Sequence, residues 1–189
     1  RERLLENSPK PLGLATGRTM EPIYKALVRR LMTWSKVERD KLLDTWCSFN
    51  LDEYIGISAN DSKSFRSYMI KNLASPLGLN LEKLKIPLSQ TDNPTEEANS
   101  YKNQLNRFGG IGLQLLGLGK NGHIGFNEPP CEKNASCRVE KLSFSTREQN
   151  AYAFHCDLNK VPSHAITLGL REILDSDEIY LIVTGKEKS

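Results

Sequence analysis

Along the chain, apolar residues fall either in short unbroken runs or in longer stretches where they recur every three or four positions. The runs at 11–15, 46–49, 111–116 and 178–184 are too short for helices and apolar on both alternating faces. That pattern predicts central parallel strands covered on both sides. Between them the spacing is helical. Ile23, Leu27, Leu31 and Trp34 form one stripe, with Thr19 placed to cap its start, and Phe65, Tyr68, Met69 and Leu73 form another after Asp61. Ala98, Tyr101, Leu105 and Phe108 follow Asn93-Pro94-Thr95-Glu96, an N-cap, a first-position proline and a capping-box acid. Gly109-Gly110 stops that helix, and a shorter one is predicted over 168–174. Strands alternating with helices predict an α/β fold with a twisted, mainly parallel sheet flanked by helices. Neither an internal repeat nor a linker divides residues 1–189, so one catalytic-sized domain is expected.

The strand ends carry the next clue. Each predicted strand runs at once into a polar, glycine-bearing turn: ATGRT, NLDEYIG, GKNGH and TGKEK. Ligands of open α/β sheets bind beyond the carboxyl ends of the strands, so these turns are expected to meet at one cleft. Composition narrows what the cleft receives. The net charge of +3 is small, and the densest basic run (Arg29, Arg30, Lys36, Arg39, Lys41) is interleaved with acids and aliphatics. This is a solvated helix face rather than a nucleic-acid stripe, and a small anionic substrate remains compatible. No apolar run reaches membrane-spanning length and no secretory signal pattern is present, so no membrane partner and a cytoplasmic location are expected. The four cysteines lack C-x-x-C pairing, which favours reduced thiols over a disulfide framework or a zinc site.

Three stretches carry chemistry. LLGLGKNGHIGFNEP at 115–129 has the G-x-G-x-x-G spacing of a dinucleotide fingerprint. That fingerprint needs a helix to start at its last glycine, and Gly125 with Pro129-Pro130 forbids one. The stretch reads better as a tight turn presenting His123, with Asn121 two residues before and Glu128 five after. Histidine moves protons near neutral pH, and a carboxylate beside it fixes its tautomer. In FNLDEY, Asp52-Glu53 follow a strand end, where a carboxylate can serve as general base, although adjacent acids more often lie on the surface. In LATGRTMEPIYKAL, Thr16, Gly17, Arg18 and Thr19 supply hydroxyls and backbone N–H groups at a helix N-terminus, a ready anion site to which Arg18 adds a bidentate donor.

Together, LATGRT…YKAL, FNLDEYIG, LGLGKNGHIGFNEP and TLGLREIL make the chain resemble the glucosamine-6-phosphate deaminase/isomerase family from about Pro11 to its last residue. The form GLGKNGH, with ITLGLREIL and PLGL, is most similar to the galactosamine-6-phosphate branch. The resemblance implies a modified Rossmann-like fold of three layers, no metal and no cofactor. It also implies a small-molecule amino-sugar 6-phosphate as substrate, turned into a ketose 6-phosphate and ammonia. By motif, Asp52 matches the base that moves the C2 proton to C1, His123 the residue that opens the sugar ring, and Glu128 its carboxylate partner. Thr16, Gly17, Arg18, Thr19, Gly122 and Lys188 match substrate-binding positions, the last a phosphate-binding lysine.

Three departures stand out. Asn121 replaces an aspartate common in glucosamine-type enzymes, Arg18 replaces a glycine, and Tyr152 falls where those enzymes place a phosphate-binding arginine. The expectation is that Arg18 supplies that charge. Glu140 is acidic where allosteric members are basic, so effector control is not expected, and homo-oligomer formation stays open. The family's first strand and C-terminal elements are expected to lie outside this chain. Two other readings share the fold. A 6-phosphogluconolactonase would not continue its histidine motif into F-N-E-P, and a sugar-phosphate sensor domain could dispense with Asp52 and His123.

Overall fold

In the computed structural model, which describes residues 10–119 and 121–184, the short apolar runs line up as a parallel sheet. Its spatial order is β4 (Leu84–Lys85), β2 (Ser48–Asn50), β1 (Leu12–Leu14), β5 (Leu113–Gly117) and β8 (Glu178–Ile182). β1 sits at the centre, with Leu12 opposite Ser48 on one side and Leu113 on the other. Gly13 lies against the Gln114 side chain, where a Cβ would come within 2.0 Å of its amide oxygen. The chain leaves β1 toward β2 and arrives later at β5 on the opposite side. The gap between the ends of β1 and β5 is therefore a topological switch point, where sheets of this kind bind ligands.

The helical stripes fold largely as their spacing predicts. α1 (Met20–Met32) buries Met20, Tyr24 and Leu31. The basic run extends into a second helix, α2 (Lys36–Thr45), whose Ser35–Glu38 capping box separates it from α1. α3 (Phe65–Met69) is capped by Ser64, three residues beyond Asp61, and continues through a widened turn (Ile70–Ala74) into the short α4 (Ser75–Leu77). α5 (Pro94–Arg107) starts at Asn93, whose side chain accepts from the Glu96 N–H, and ends before Gly109 and Gly110. α6 (Phe144–Asn150) and α7 (Leu170–Leu174) complete the set among the described residues. Leu14, Phe49, Leu116, Tyr24, Met69 and Leu105 belong to one buried cluster between sheet and helices.

One expectation is corrected, and two features are added to the others. Thr19 does not cap α1; it is itself in helical conformation, and its hydroxyl pairs with that of Thr184 at 3.2 Å. β8 is the outer strand of this sheet among the described residues and leaves Tyr180 55% exposed. Finally, the parallel sheet is joined by a second, antiparallel one, β3 (Asp52–Tyr54), β7 (His164–Thr167) and β6 (Arg138–Lys141). It packs on its own buried cluster, which includes Tyr54, Phe126, Phe154 and Ala165. No helix of the described residues is long and apolar enough to cross a membrane.

Candidate active site

The loop after β1 is shaped before any ligand arrives. Gly17 has φ +111°, a conformation that side-chain-bearing residues rarely adopt. The carbonyls of the loop are held from within: the Tyr24 hydroxyl donates to Ala15 O at 2.6 Å and the Tyr68 hydroxyl to Gly17 O at 2.9 Å. With those oxygens engaged, residues 15–19 meet the cleft with Thr16 and Thr19, the backbone and the exposed Arg18 at the N-terminus of α1. A helix start of this kind attracts anions.

The second contribution comes from a strand that changes sheets. Leu51 gives its N–H to Leu14 O of the parallel sheet at 2.9 Å, and its own carbonyl accepts from Leu168 N at 2.7 Å. One residue later the chain is in the antiparallel sheet, with Asp52 opposite Thr167. The two acids are therefore strand residues and buried, not a surface pair: Asp52 is 5% exposed and Glu53 1%. Their surroundings differ. The Glu53 carboxylate accepts N–H groups of Tyr54 at 2.9 Å, Phe65 at 3.0 Å and Arg66 at 2.8 Å, tying β3 to the start of α3. Asp52 has no such donors among the described residues and lines the cleft. Burial, with Glu53 adding to it, pushes its carboxyl up to about 8.

The third contribution is the loop 119–128. Gly119 and Gly122 close a tight turn through Gly122 N to Gly119 O at 3.1 Å and Gly119 N to His123 O at 2.9 Å, and no helix follows. The dinucleotide reading is thereby excluded. A Cβ on Gly119 would lie 2.3 Å from the His123 ring, so the glycine makes room for the imidazole. Asn121 Oδ1 accepts from the His123 backbone N–H at 3.2 Å and meets His123 Nδ1 at 2.7 Å. Because the same oxygen faces both groups, Nδ1 carries the proton and Nε2 is left as the basic nitrogen. Glu128 is half-buried. Partial burial opposes its charge, but donors at Thr146 and Ser143 and the nearby His123 hold its carboxyl below the usual value.

These three contributions share one cleft of about 210 Å³, lined by Thr16, Gly17, Arg18, Thr19, Asp52 and His123 among others. That is below the ~300–1,000 Å³ of pockets for drug-sized ligands. Asn121, Gly122 and Glu128 belong to the same loop but are not among the residues lining the cleft, while Lys188 and the rest of the TGKEK turn beyond Thr184 lie outside the described residues. Sequence reasoning missed several parts of the wall. Phe65 and Phe126, stacked with centroids 6.0 Å apart, form an apolar side, and Gln149 and Asn150 at the end of α6 bring amides. Gly125, at φ +57°, passes so close that a Cβ would sit 3.3 Å from Asp52 Oδ2. The second glycine of GHIG was the available signal. Asn127 braces this loop by donating to Leu168 O at 2.9 Å and Ile124 O at 3.0 Å. The four cysteines are free, and no three His, Cys, Asp or Glu side chains among the described residues gather as metal ligands would.

Known proteins match this arrangement. The family model described as glucosamine-6-phosphate isomerases/6-phosphogluconolactonase covers residues 2–189. A glucosamine-6-phosphate deaminase from Shouchella clausii is 40% identical over 186 residues, 98% of this chain and 73% of the relative. Another from Halalkalibacterium halodurans is 38% identical over 188 residues, 100% of this chain and 74% of the relative. The solved structure of a monomeric glucosamine-6-phosphate deaminase superposes with TM-score 0.87 at 36% identity, over 95% of this chain and 72% of that one. A 6-phosphogluconolactonase from Thermotoga maritima superposes with TM-score 0.69 at 18% identity, over 99% of this chain and 75% of that one, a likeness of fold alone.

Proposed function

The chain belongs to the glucosamine-6-phosphate isomerase/6-phosphogluconolactonase family, and within it we propose that it is an amino-sugar-6-phosphate deaminase/isomerase. It takes the amino sugar and water to the ketose 6-phosphate and ammonia. The phosphate lies in the cradle of Thr16, Gly17, Arg18 and Thr19, which fixes the far end of the substrate. A closed pyranose has no acidic C–H, so the ring opens first. His123 Nε2, set by the Asn121 contact, takes the anomeric hydroxyl proton and returns it to the ring oxygen. Glu128 stays ionised beside it and supports the transient imidazolium. In the open aldehyde, the carbonyl and the C2 ammonium both acidify the C2 proton. Asp52 removes it and delivers it to C1, and the resulting C2 imine is hydrolysed.

The buried Asp52, facing the cleft, carries this reading. Burial pushes its carboxyl up to about 8, which disfavours the ionised form that a base needs. A substrate ammonium beside it favours the ionised form and restores the base where it is needed. A lactone phosphate brings no cation to offset that burial, which favours deamination over lactone hydrolysis. The relatives' names support glucosamine 6-phosphate as substrate. The GLGKNGH form favours galactosamine 6-phosphate as a second reading. Ammonia and ketose are measured with both amino sugars, and lactone loss with 6-phosphogluconolactone. Ammonia from an amino sugar is expected, and the ratio of the two kcat/KM values assigns the C4 configuration. Lactone hydrolysis without ammonia would overturn the proposal.

A further inference from the structure

Arg18 is rooted in a loop held by Tyr24 and Tyr68, yet its own side chain is exposed. Unaided, so long a side chain samples many rotamers, and presenting its charge at one point costs entropy. Its guanidinium instead lies over the ring of Tyr152, with Cζ 5.9 Å from the centroid. Tyr152 comes from the 3₁₀ turn Ala151–Phe154, directly after the cleft-lining Gln149 and Asn150. It is 75% exposed, so core packing does not account for it. The geometry leaves the donors usable. An aromatic seat occupies one face of a guanidinium, while its five N–H groups lie in the plane, away from the ring face.

We infer that Tyr152 is a positioning residue for phosphate: its ring seats the Arg18 guanidinium so that the edge of the fork meets the phosphate of the substrate. The clasp joins the wall after β1 to the wall after α6, so the cation stands ready at the mouth of the cleft. The inference rests on the deaminase reading only for its kinetic half, because inorganic phosphate probes the same clasp without chemistry.

Four variants decide it: Tyr152→Ala, Tyr152→Phe, Arg18→Ala and the Arg18→Ala/Tyr152→Ala double variant. Each is assayed for KM and kcat on the amino-sugar phosphate and for inorganic phosphate binding by calorimetry. Both side chains are exposed, so the variants are expected to fold, which circular dichroism checks. Tyr152→Ala should raise KM and weaken phosphate by about two- to fivefold, the scale of an exposed cation–π contact, with kcat unchanged. Tyr152→Phe, which keeps the ring, should match the parent protein. In the Arg18→Ala background, loss of Tyr152 should cost nothing more. An undiminished Tyr152→Ala effect in that background overturns the clasp, as does Tyr152→Phe behaving like Tyr152→Ala, or absence of phosphate binding by the parent protein. A parent protein that binds phosphate but releases no ammonia removes the deaminase reading and leaves the calorimetry to judge the clasp.

Discussion

The parallel and antiparallel sheets meet at the cleft with opposite electrostatic designs. Beyond β1 the parallel sheet presents a loop of hydroxyls, backbone and an exposed arginine, a surface made for a group that arrives charged and partly hydrated. The antiparallel sheet presents Asp52 from a buried strand with Glu53 behind it, a carboxylate without such donors among the described residues. One side offers preformed partners to an anion; the other holds a carboxyl where burial disfavours its charge, the state that the proposed cationic substrate would relieve. Leu51, bonded to both sheets, sets the two designs side by side. Binding energy gathered at the first is thus available to position chemistry at the second.

The largest expected effect comes from removing the tension in the antiparallel half. Asp52→Asn should lower ammonia release by a factor of ~10²–10⁴, the usual share of a positioned acid–base group, while phosphate binding stays nearly unchanged. Exchange of the C2 proton with solvent, followed by NMR, should stop; continued exchange would take the base role from Asp52. The same variant should be more stable than the parent at pH 9. The folded carboxyl titrates at about 8 and the unfolded one near ~4. Between those values the folded chain retains a proton that the unfolded chain has lost. Stability therefore falls as pH rises through that window and levels off above it. Thermal melts from pH 4 to 9 should show this slope in the parent and a flatter profile in Asp52→Asn.

Its neighbour sharpens the contrast. Glu53 is as buried as Asp52 but accepts three backbone N–H groups, so Glu53→Gln should destabilise where Asp52→Asn stabilises. The new amide N–H₂ would face the Arg66 N–H, and the loss should be about 1.5–3 kcal/mol, the worth of a hydrogen bond to a charged group. A denaturant titration at pH 7 checks it, and an unchanged midpoint would mean that Glu53 does not hold α3 to β3.

These two regions were unequally legible in the sequence. Parallel strands announce themselves as apolar runs closed by glycine turns, and β1, β2, β5 and β8 fall where those runs predict. The loops beyond them follow, so Thr16–Arg18, Asp52 and His123 could be placed at one edge. The antiparallel strands carry no such signal. β3 is Asp-Glu-Tyr, buried through contacts with residues more than a hundred positions away, and β6 is Arg-Val-Glu-Lys with only partial burial. Short strands whose character is set by their partners resist periodicity. The Asn121–His123 contact was readable because it is local, an Asx turn two residues long. The Arg18–Tyr152 and Tyr68–Gly17 contacts join distant segments and needed the fold.

Smaller effects are expected in the loop that bridges the two halves. Asn121→Ala frees the His123 tautomer without removing the imidazole, so kcat should fall about tenfold, a fraction of what the acid–base group itself supplies. Asn121→Asp should keep the orientation and favour the imidazolium, moving the acid limb of the kcat–pH profile upward. If Asn121→Ala leaves both rate and profile unchanged, the tautomer is held by something other than Asn121.

Gly125→Ala tests the closest approach between the halves and should have the mildest effect. The residue has φ +57°, where alanine costs ~1–2 kcal/mol. Its new methyl would stand 3.3 Å from both Asp52 Oδ2 and Thr167 Oγ1, close enough to require a small shift of the loop but not to expel it. The melting point should drop by roughly 2–8 °C for a chain of this size. Combining it with Asp52→Ala, which removes the neighbouring carboxyl, separates backbone from contact. Strain at Gly125 persists whatever stands at position 52, so an equal drop in both backgrounds assigns the cost to the backbone. A drop confined to the parent assigns it to crowding of the carboxylate. In that case Gly125 keeps the antiparallel half's acid clear of the histidine loop that works beside it.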